Sequence, residues 1–154
     1  MHHDPGQLRY SELNEVTWTE YYARIRRRRI AEARILHQQR AESGVDAETI
    51  LLLDFLHFGN FAKDVRQLAN QLAENYSMVV TPRDDGVYWN AEGTTRPEGI
   101  HGMDELQCTE WVAFMCDVAN SYGCVFSTWR FTDPVRNRTW TNETIDVDPE
   151  VEGG

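Results

Sequence analysis

Asp54 and His57 are the two residues of this chain whose types come closest to an acid–base pair. They lie three positions apart in the short apolar run from Ile50 to Phe58, which Gly59 follows. A run of this length and composition predicts a buried strand. Successive side chains of a strand point to opposite faces, so an odd spacing separates the carboxylate from the imidazole. We therefore expect that Asp54 and His57 do not act on one substrate atom.

The other histidines and the sequence motifs give no stronger signal for chemistry. His37 lies in a predicted helix and His101 in a glycine-flanked loop, and neither has a partner at the i,i+3 or i,i+4 spacing of metal motifs. The sequence contains no GxSxG, no phosphate-binding loop and no GxGxxG. We expect no catalytic residue, no metal ligand and no cofactor, and hence a protein that is not an enzyme.

Composition indicates one domain of a reduced, aqueous compartment. The chain has 154 residues, of which 41% are hydrophobic and 26% charged. Its cysteines are odd in number, form no CxxC pair and favour small core residues over a redox pair: Cys108, Cys116 and Cys124. No run approaches the ~20 apolar residues of a membrane span, and "MHHDPGQLRYSEL" has no apolar signal region. The expectation is a cytoplasmic protein without a membrane partner.

The charge is distributed unevenly along the chain. Residues 23–40, "ARIRRRRIAEARILHQQR", carry seven arginines against one glutamate, a local net charge of +6 in a chain of net charge −10. The remainder therefore carries −16, and so acidic a body repels nucleic-acid phosphates. Four consecutive arginines spread around a helix, because each residue turns it by about 100°. The pattern favours a solvated or counter-charging helix, and RNA contact through Arg26, Arg27, Arg28 and Arg29 is the alternative.

Hydrophobic periodicity divides the chain into an arm, one α+β domain and a tail. The arm covers residues 1–16, the domain 17–133 and the acidic polar tail 134–154. The tail is predicted to be disordered or loosely docked. Within the domain, a helix at 17–43 ended by Gly44 precedes a body at 45–133. The body predicts a strand, a helix capped by Asn60, a hairpin built from "SMVVTP" and "VYWNAE", a helix over 103–122 and a strand in "CVFSTWRF".

This order predicts a ferredoxin-like β-α-β-β-α-β sandwich, a four-stranded antiparallel sheet with two helices on one face. The other face then needs a cover, and the stripe from Trp18 to Leu36 on the first helix is expected to supply it. In the last strand, alternation places Trp129 on one face and Phe126 on the other. The predicted core consists of Leu53, Phe55, Phe61, Val65, Leu68, Leu72, Trp111, Met115, Val118 and Trp129.

Three segments give the body a resemblance to a known family. They are "LLLDFLHF", "NFAKDVRQLANQLAENY" and "GIHGMDELQCTEWVAFMCDVANSYGCVFSTWRFTD". Over about residues 45–133 they resemble the bacterial regulator of ribonuclease E activity B family. That family closes with a long helix, a break and a strand with a tryptophan-centred segment followed by an acid. Gly123 to Asp133, with Trp129 in the tryptophan place, is similar to that closing pattern.

The resemblance implies a small acidic cytoplasmic protein of ferredoxin-like fold that binds ribonuclease E, inhibits its cleavage of RNA and is not an enzyme. An acidic domain can occupy an arginine-rich partner segment by charge complementarity. The acids around the predicted hairpin and loop are the predicted partner-binding residues: Asp84, Asp85, Glu92, Glu98, Asp104 and Glu105. The basic first helix departs from the acid-rich first helix of those relatives. A direct RNA-binding protein and an immunity-type domain that sequesters another protein are the alternatives.

Overall fold

The computed structural model describes the backbone of residues 5–146 and the side chains of residues 17–146. Within this range the fold is α+β, as predicted. Its elements in chain order are α1 (Pro5–Glu42), β1 (Ile50–Gly59), α2 (Ala62–Leu72), β2 (Ser77–Pro82), β3 (Trp89–Thr94), β4 (Ile100–His101), α3 (Glu105–Ser121), β5 (Val125–Asp133), β6 (Arg138–Thr141) and a 3₁₀ turn (Asn142–Thr144). No helix among the described residues is both long and apolar enough to cross a membrane.

β1 is the centre of the sheet and defines its two faces. The side chains of Leu51, Leu53, Phe55 and His57 are buried, whereas those between them, such as Asp54, are half-buried. This alternation follows from the period of two in a strand. It confirms that Asp54 and His57 point to opposite faces.

The strands follow the order β2-β3-β1-β5-β6, and all pairs are antiparallel. The short β4 pairs with the first residues of β1. The predicted strands are present as β1, β2, β3 and β5. β4 and β6 are additions that the sequence pattern did not predict, because each is short and lies in a polar segment.

A β-bulge corrects the predicted faces of β5. Leu56 pairs with Thr128 and His57 with Phe126, which leaves Ser127 as an extra residue in β5. The bulge turns Phe126 to the same face as Trp129, and their rings stack at 5.4 Å between centroids. The prediction that these two rings lie on opposite faces is wrong, because strict alternation does not survive an inserted residue.

α1 is longer than predicted and lies elsewhere. Its helical backbone begins at Pro5 and so includes residues 5–16 of the predicted flexible arm, while residues 1–4 of that arm lie outside the described range. It runs antiparallel along α3, since Arg26 meets Asp117 and Arg40 meets Cys108. The predicted role as cover for the open face is wrong: the helix packs beside α3.

The segment predicted as a loose polar tail forms part of the fold up to residue 146. β6 pairs with β5 and buries Trp140. In the 3₁₀ turn the Asn142 side chain accepts a hydrogen bond from the Trp129 backbone N–H at 2.9 Å. The same amide donates to Glu32 of α1 at 3.1 Å, so the segment ties α1 to the sheet. Residues 147–154 of the predicted tail lie outside the described range.

The predicted core is confirmed except at its edge. Phe61 is 67% exposed, because it occupies the N-cap of α2, the position predicted for Asn60, and the buried stripe starts only at Val65. Trp111 is half-buried and donates a hydrogen bond to the Tyr76 hydroxyl. The other eight predicted core residues are buried.

Candidate functional site

All three helices pack on one face of the sheet. Ala33 of α1, Leu68 of α2 and Met115 of α3 belong to one buried cluster with the inward residues Leu53 and Phe55 of β1. The groove over the outward residues Asp54 and Leu56 is lined by strand residues and by Glu143, with no residue of α1, α2 or α3. We call this side of the sheet the open face.

A row of polar side chains crosses this open face from edge to edge. Register places Ser77 of β2 beside Thr94 of β3, Thr94 beside Asp54 of β1, Asp54 beside Arg130 of β5, and Arg130 beside Thr141 of β6. Cross-strand neighbours on one face stand about 5 Å apart, so their side chains interact directly. The row brings together residues up to 87 positions apart in the sequence, Asp54 and Thr141.

Asp54 is the acceptor at the centre of the row. Its carboxylate accepts hydrogen bonds from the Thr94 hydroxyl at 2.6 Å and from the Arg96 Nε and Nη2 atoms, each at 3.1 Å. Arg130 Nη2 lies 3.6 Å away. Burial alone would raise the pKa of Asp54, but the bonds from Arg96 and Thr94 outweigh it and hold the pKa below its ordinary value. Asp54 is thus ionised and forms ion pairs with two arginines, Arg96 and Arg130.

A groove of about 450 Å³ opens over this row. Its lining includes the side chains of the next row, where Val79 of β2, Glu92 of β3, Leu56 of β1 and Thr128 of β5 lie side by side. Glu143 of the 3₁₀ turn completes the lining. The volume lies in the range of ligand sites, about 300–1,000 Å³.

The other end of the open face carries a stacked arginine. The Arg83 guanidinium lies 4.4 Å from the Phe58 ring centroid and 5.5 Å from that of Tyr88. Its Nε donates to the Asn90 side chain at 2.6 Å. Arg83 therefore covers the exposed aromatic rings instead of leaving them as a stacking platform.

The structure does not bring the six predicted partner-binding acids together. Asp84 and Asp85 lie in the turn between β2 and β3, whereas Glu98, Asp104 and Glu105 follow the far end of β3. A six-residue strand spans about 17 Å. The side chains of Asp85 and Asp104 accept backbone hydrogen bonds of the turn and of the α3 N-terminus. Of the six, Glu92 is the one that lines the groove.

The four predicted basic residues are exposed or half-buried, and Arg26 and Arg29 have acidic partners within the protein. Arg26 forms an ion pair with Asp117 at 2.9 Å, and Arg29 donates to the Phe126 carbonyl at 3.0 Å and to Glu32. Arg27 and Arg28 also make interactions. Arg26 and Arg29 thus act as counter-charges to acids of this same chain.

Arg40 is the extreme case of this internal use. It is 2% exposed, its guanidinium lies 4.4 Å from the Phe131 ring centroid, and its Nη2 lies 2.9 Å from Cys108 Sγ. Burial raises the pKa of the Cys108 thiol although the nearby Arg40 charge opposes the shift. No sequence pattern pointed to this contact, because it joins two helices 68 positions apart.

His57 and the three cysteines are buried away from solvent. His57 is fully buried with Nδ1 unpartnered, and burial lowers its pKa to about 4. Burial raises the pKa of Cys116 to about 12 and of Cys124 to about 11. Among the side chains of residues 17–146, no three His, Cys, Asp or Glu residues gather as metal ligands. Such neutral, buried groups act as core residues.

Sequence reasoning missed Arg130 and Glu143 as groove residues, and Arg96 as a partner of Asp54. Strand alternation could have predicted that Asp54 and Arg130 both lie on an outward face. It could not have predicted that they are neighbours, because the register between two strands is a tertiary property.

No protein-family model matches this chain, and no curated protein matches it significantly.

Proposed function

We propose that this protein is a non-catalytic regulator that binds a protein partner through the open face of its sheet and thereby inhibits ribonuclease E-type RNA processing. The observation that carries the proposal is the uncovered face itself, with a groove lined by Asp54, Leu56, Glu92, Arg130 and Glu143. The groove volume of about 450 Å³ lies within the range of ligand sites, and its lining combines apolar with charged side chains.

The proposal includes a ferredoxin-like core. The strand order β2-β3-β1-β5 with α2 and α3 on one face supports it, and β4 and β6 then extend that core. The resemblance of residues 45–133 to the regulators of ribonuclease E activity points to the same arrangement. The partner class follows from that resemblance and from charge.

The charge of the body suits a basic protein segment. Residues 45–133 contain fourteen acids against five basic residues. The arginines that would favour RNA are engaged within the protein, notably Arg26, Arg29 and Arg40. An acidic body with internal arginines attracts a cationic partner and repels a phosphate backbone.

The test is a ribonuclease assay with purified proteins. We expect that the protein binds ribonuclease E in a saturable complex and slows its cleavage of a labelled RNA, without cleaving RNA itself. RNA alone should bind more weakly than roughly micromolar at physiological salt. Sub-micromolar RNA binding whose log K falls with log salt at a slope of about −4 would favour direct RNA binding instead. Absence of both binding and inhibition would contradict the proposal.

A further inference from the structure

The charges that line the groove differ in whether they are already paired. Arg130 of the groove forms an ion pair with Asp54 at 3.6 Å, and Asp54 also accepts hydrogen bonds from Arg96, which lies outside the groove lining. Glu92 and Glu143 have no ion pair or hydrogen bond from a side chain among the described residues. Each is exposed to solvent at the groove. The groove lining therefore contains two carboxylates without a charged partner, Glu92 and Glu143, whereas its arginine, Arg130, is already paired with Asp54.

Leu56 and Thr128 lie between the two open carboxylates. Leu56 of β1 lies between Glu92 of β3 and Thr128 of β5, and the exposed Val79 of β2 lies on the other side of Glu92. Glu143 follows β6, on the other side of β5. Since adjacent strands are about 4.8 Å apart, Glu92 and Glu143 are separated by about 10 Å or more. One cationic group cannot reach both.

We infer that the groove binds an extended basic segment of a protein partner, with one arginine or lysine at Glu92, a second at Glu143 and an aliphatic residue over Leu56. This inference rests on the proposed function and names the surface and the partner chemistry. An extended chain rises about 3.3 Å per residue and points alternate side chains to the same face, so the two cationic residues are four positions apart. Paired arginines on Asp54 keep that carboxylate from competing for the incoming cation.

Charge complementarity selects this occupant over the others. A phosphate backbone would meet Glu92 and Glu143 unscreened, and its attraction to Arg130 would compete with Asp54 at 3.6 Å. An acidic segment faces the same repulsion. A basic segment can form ion pairs with both Glu92 and Glu143, and it leaves the ion pairs of Asp54 with Arg96 and Arg130 intact.

The test is fluorescence anisotropy with the full chain and three labelled probes of equal length. One is an alternating threonine–leucine peptide with two arginines four positions apart, the second replaces both arginines by glutamate, and the third is a single-stranded oligonucleotide. The site variant is Glu92→Gln with Glu143→Gln. The matched control is Glu74→Gln with Glu110→Gln, which removes the same charge from exposed positions outside the groove.

We expect binding of the arginine peptide alone, weakened about tenfold by the site variant and less than about twofold by the control. Circular dichroism should show both variants folded. Equal weakening by the control would overturn the inference, since the whole acidic body would then be responsible. Preference for the oligonucleotide or the glutamate peptide would overturn it as well.

If both variants inhibit ribonuclease E as strongly as the wild type, the groove is not the binding site for the ribonuclease, but the proposed inhibition itself still holds. Peptide binding that depends on Glu92 and Glu143, without any ribonuclease inhibition, would support the groove and contradict the proposed function.

Discussion

The two faces of one sheet differ in kind although the same strands build both. On the inner face, Leu53, Phe55 and Trp129 are at most 4% exposed and pack under three helices. On the open face, Asp54 and Arg130 pair across the neighbouring strands β1 and β5. The inner face stabilises the fold by removing apolar area from water, and the open face carries the charged side chains. Strand alternation thus separates the face that stabilises the fold from the face on which we propose that a partner binds.

The largest expected contrast comes from the same substitution on either side of β1. Leu53→Ala removes a buried side chain and should lower the free energy of unfolding by about 2–5 kcal/mol. Leu52→Ala, at the neighbouring half-buried position on the open face, should cost about 1 kcal/mol. Urea unfolding of both variants measures the difference. Equal losses would contradict the assignment of the two faces.

The inner face also predicts a loss of stability in acid through His57. The folded pKa is about 4 and the ordinary value 6.5, so the unfolded state binds more protons between these pH values. Stability should therefore fall as pH decreases from about 6.5 to about 4, by roughly 3 kcal/mol from this residue. His57→Leu should remove that part of the slope. An unchanged pH profile in the variant would show that His57 is not buried in its neutral form.

Asn142 tests whether the segment after β5 belongs to the inner side. Asn142→Ala deprives Glu32, the Trp129 N–H and the Ser127 carbonyl of their partner, and should cost about 2 kcal/mol. Thr144→Ala, which removes an exposed hydroxyl bond in the same turn, is the matched control with a cost below about 1 kcal/mol. Thermal unfolding compares the two. If Asn142→Ala left the stability unchanged, the segment after β5 would instead behave as the loosely docked tail that the sequence predicts.

The smallest effect belongs to the open face. Arg130→Gln removes one of two arginines from Asp54, and Arg130 is 54% exposed, so the loss should be about 0–1 kcal/mol. The loss should shrink further at 1 M salt, where the Debye length is about 3 Å. Chemical unfolding at low and high salt provides the measurement. A loss above 2 kcal/mol would mean that the open face stabilises the fold as the inner face does.

Much of the architecture was accessible from local pattern. Gly44 ends α1 with φ of +89°, and the capping box of Asp104 with Gln107 begins α3 near the predicted start. The helical stripe Val65, Leu68 and Leu72 is buried as its spacing predicts. These features depend on contacts within one element, which a sequence reveals. Phe61, by contrast, was assigned to the same stripe and is exposed, because the cap position is set by how the chain leaves β1.

The candidate site was accessible only in part. Glu92 was predicted on its charge, but the five acids named with it are distributed over two ends of the sheet. The bulge at Ser127 and the pairing of Asp54 with Arg130 required register, which no local pattern specifies. The identity of the partner is a proposal that rests on the family resemblance and on the charge of the body.

The sequence by itself determined the element types, the alternating faces of β1 and the acidic body with one basic helix, because periodicity and charge are local properties of the chain. Only the tertiary structure decided what that basic helix does. Arg26, Arg29 and Arg40 find their partners on α3 and β5, up to 97 positions away. Placing α1 beside α3 leaves the far side of the sheet uncovered. The same packing therefore gave these arginines their partners and left open the face on which Glu92 and Glu143 lie.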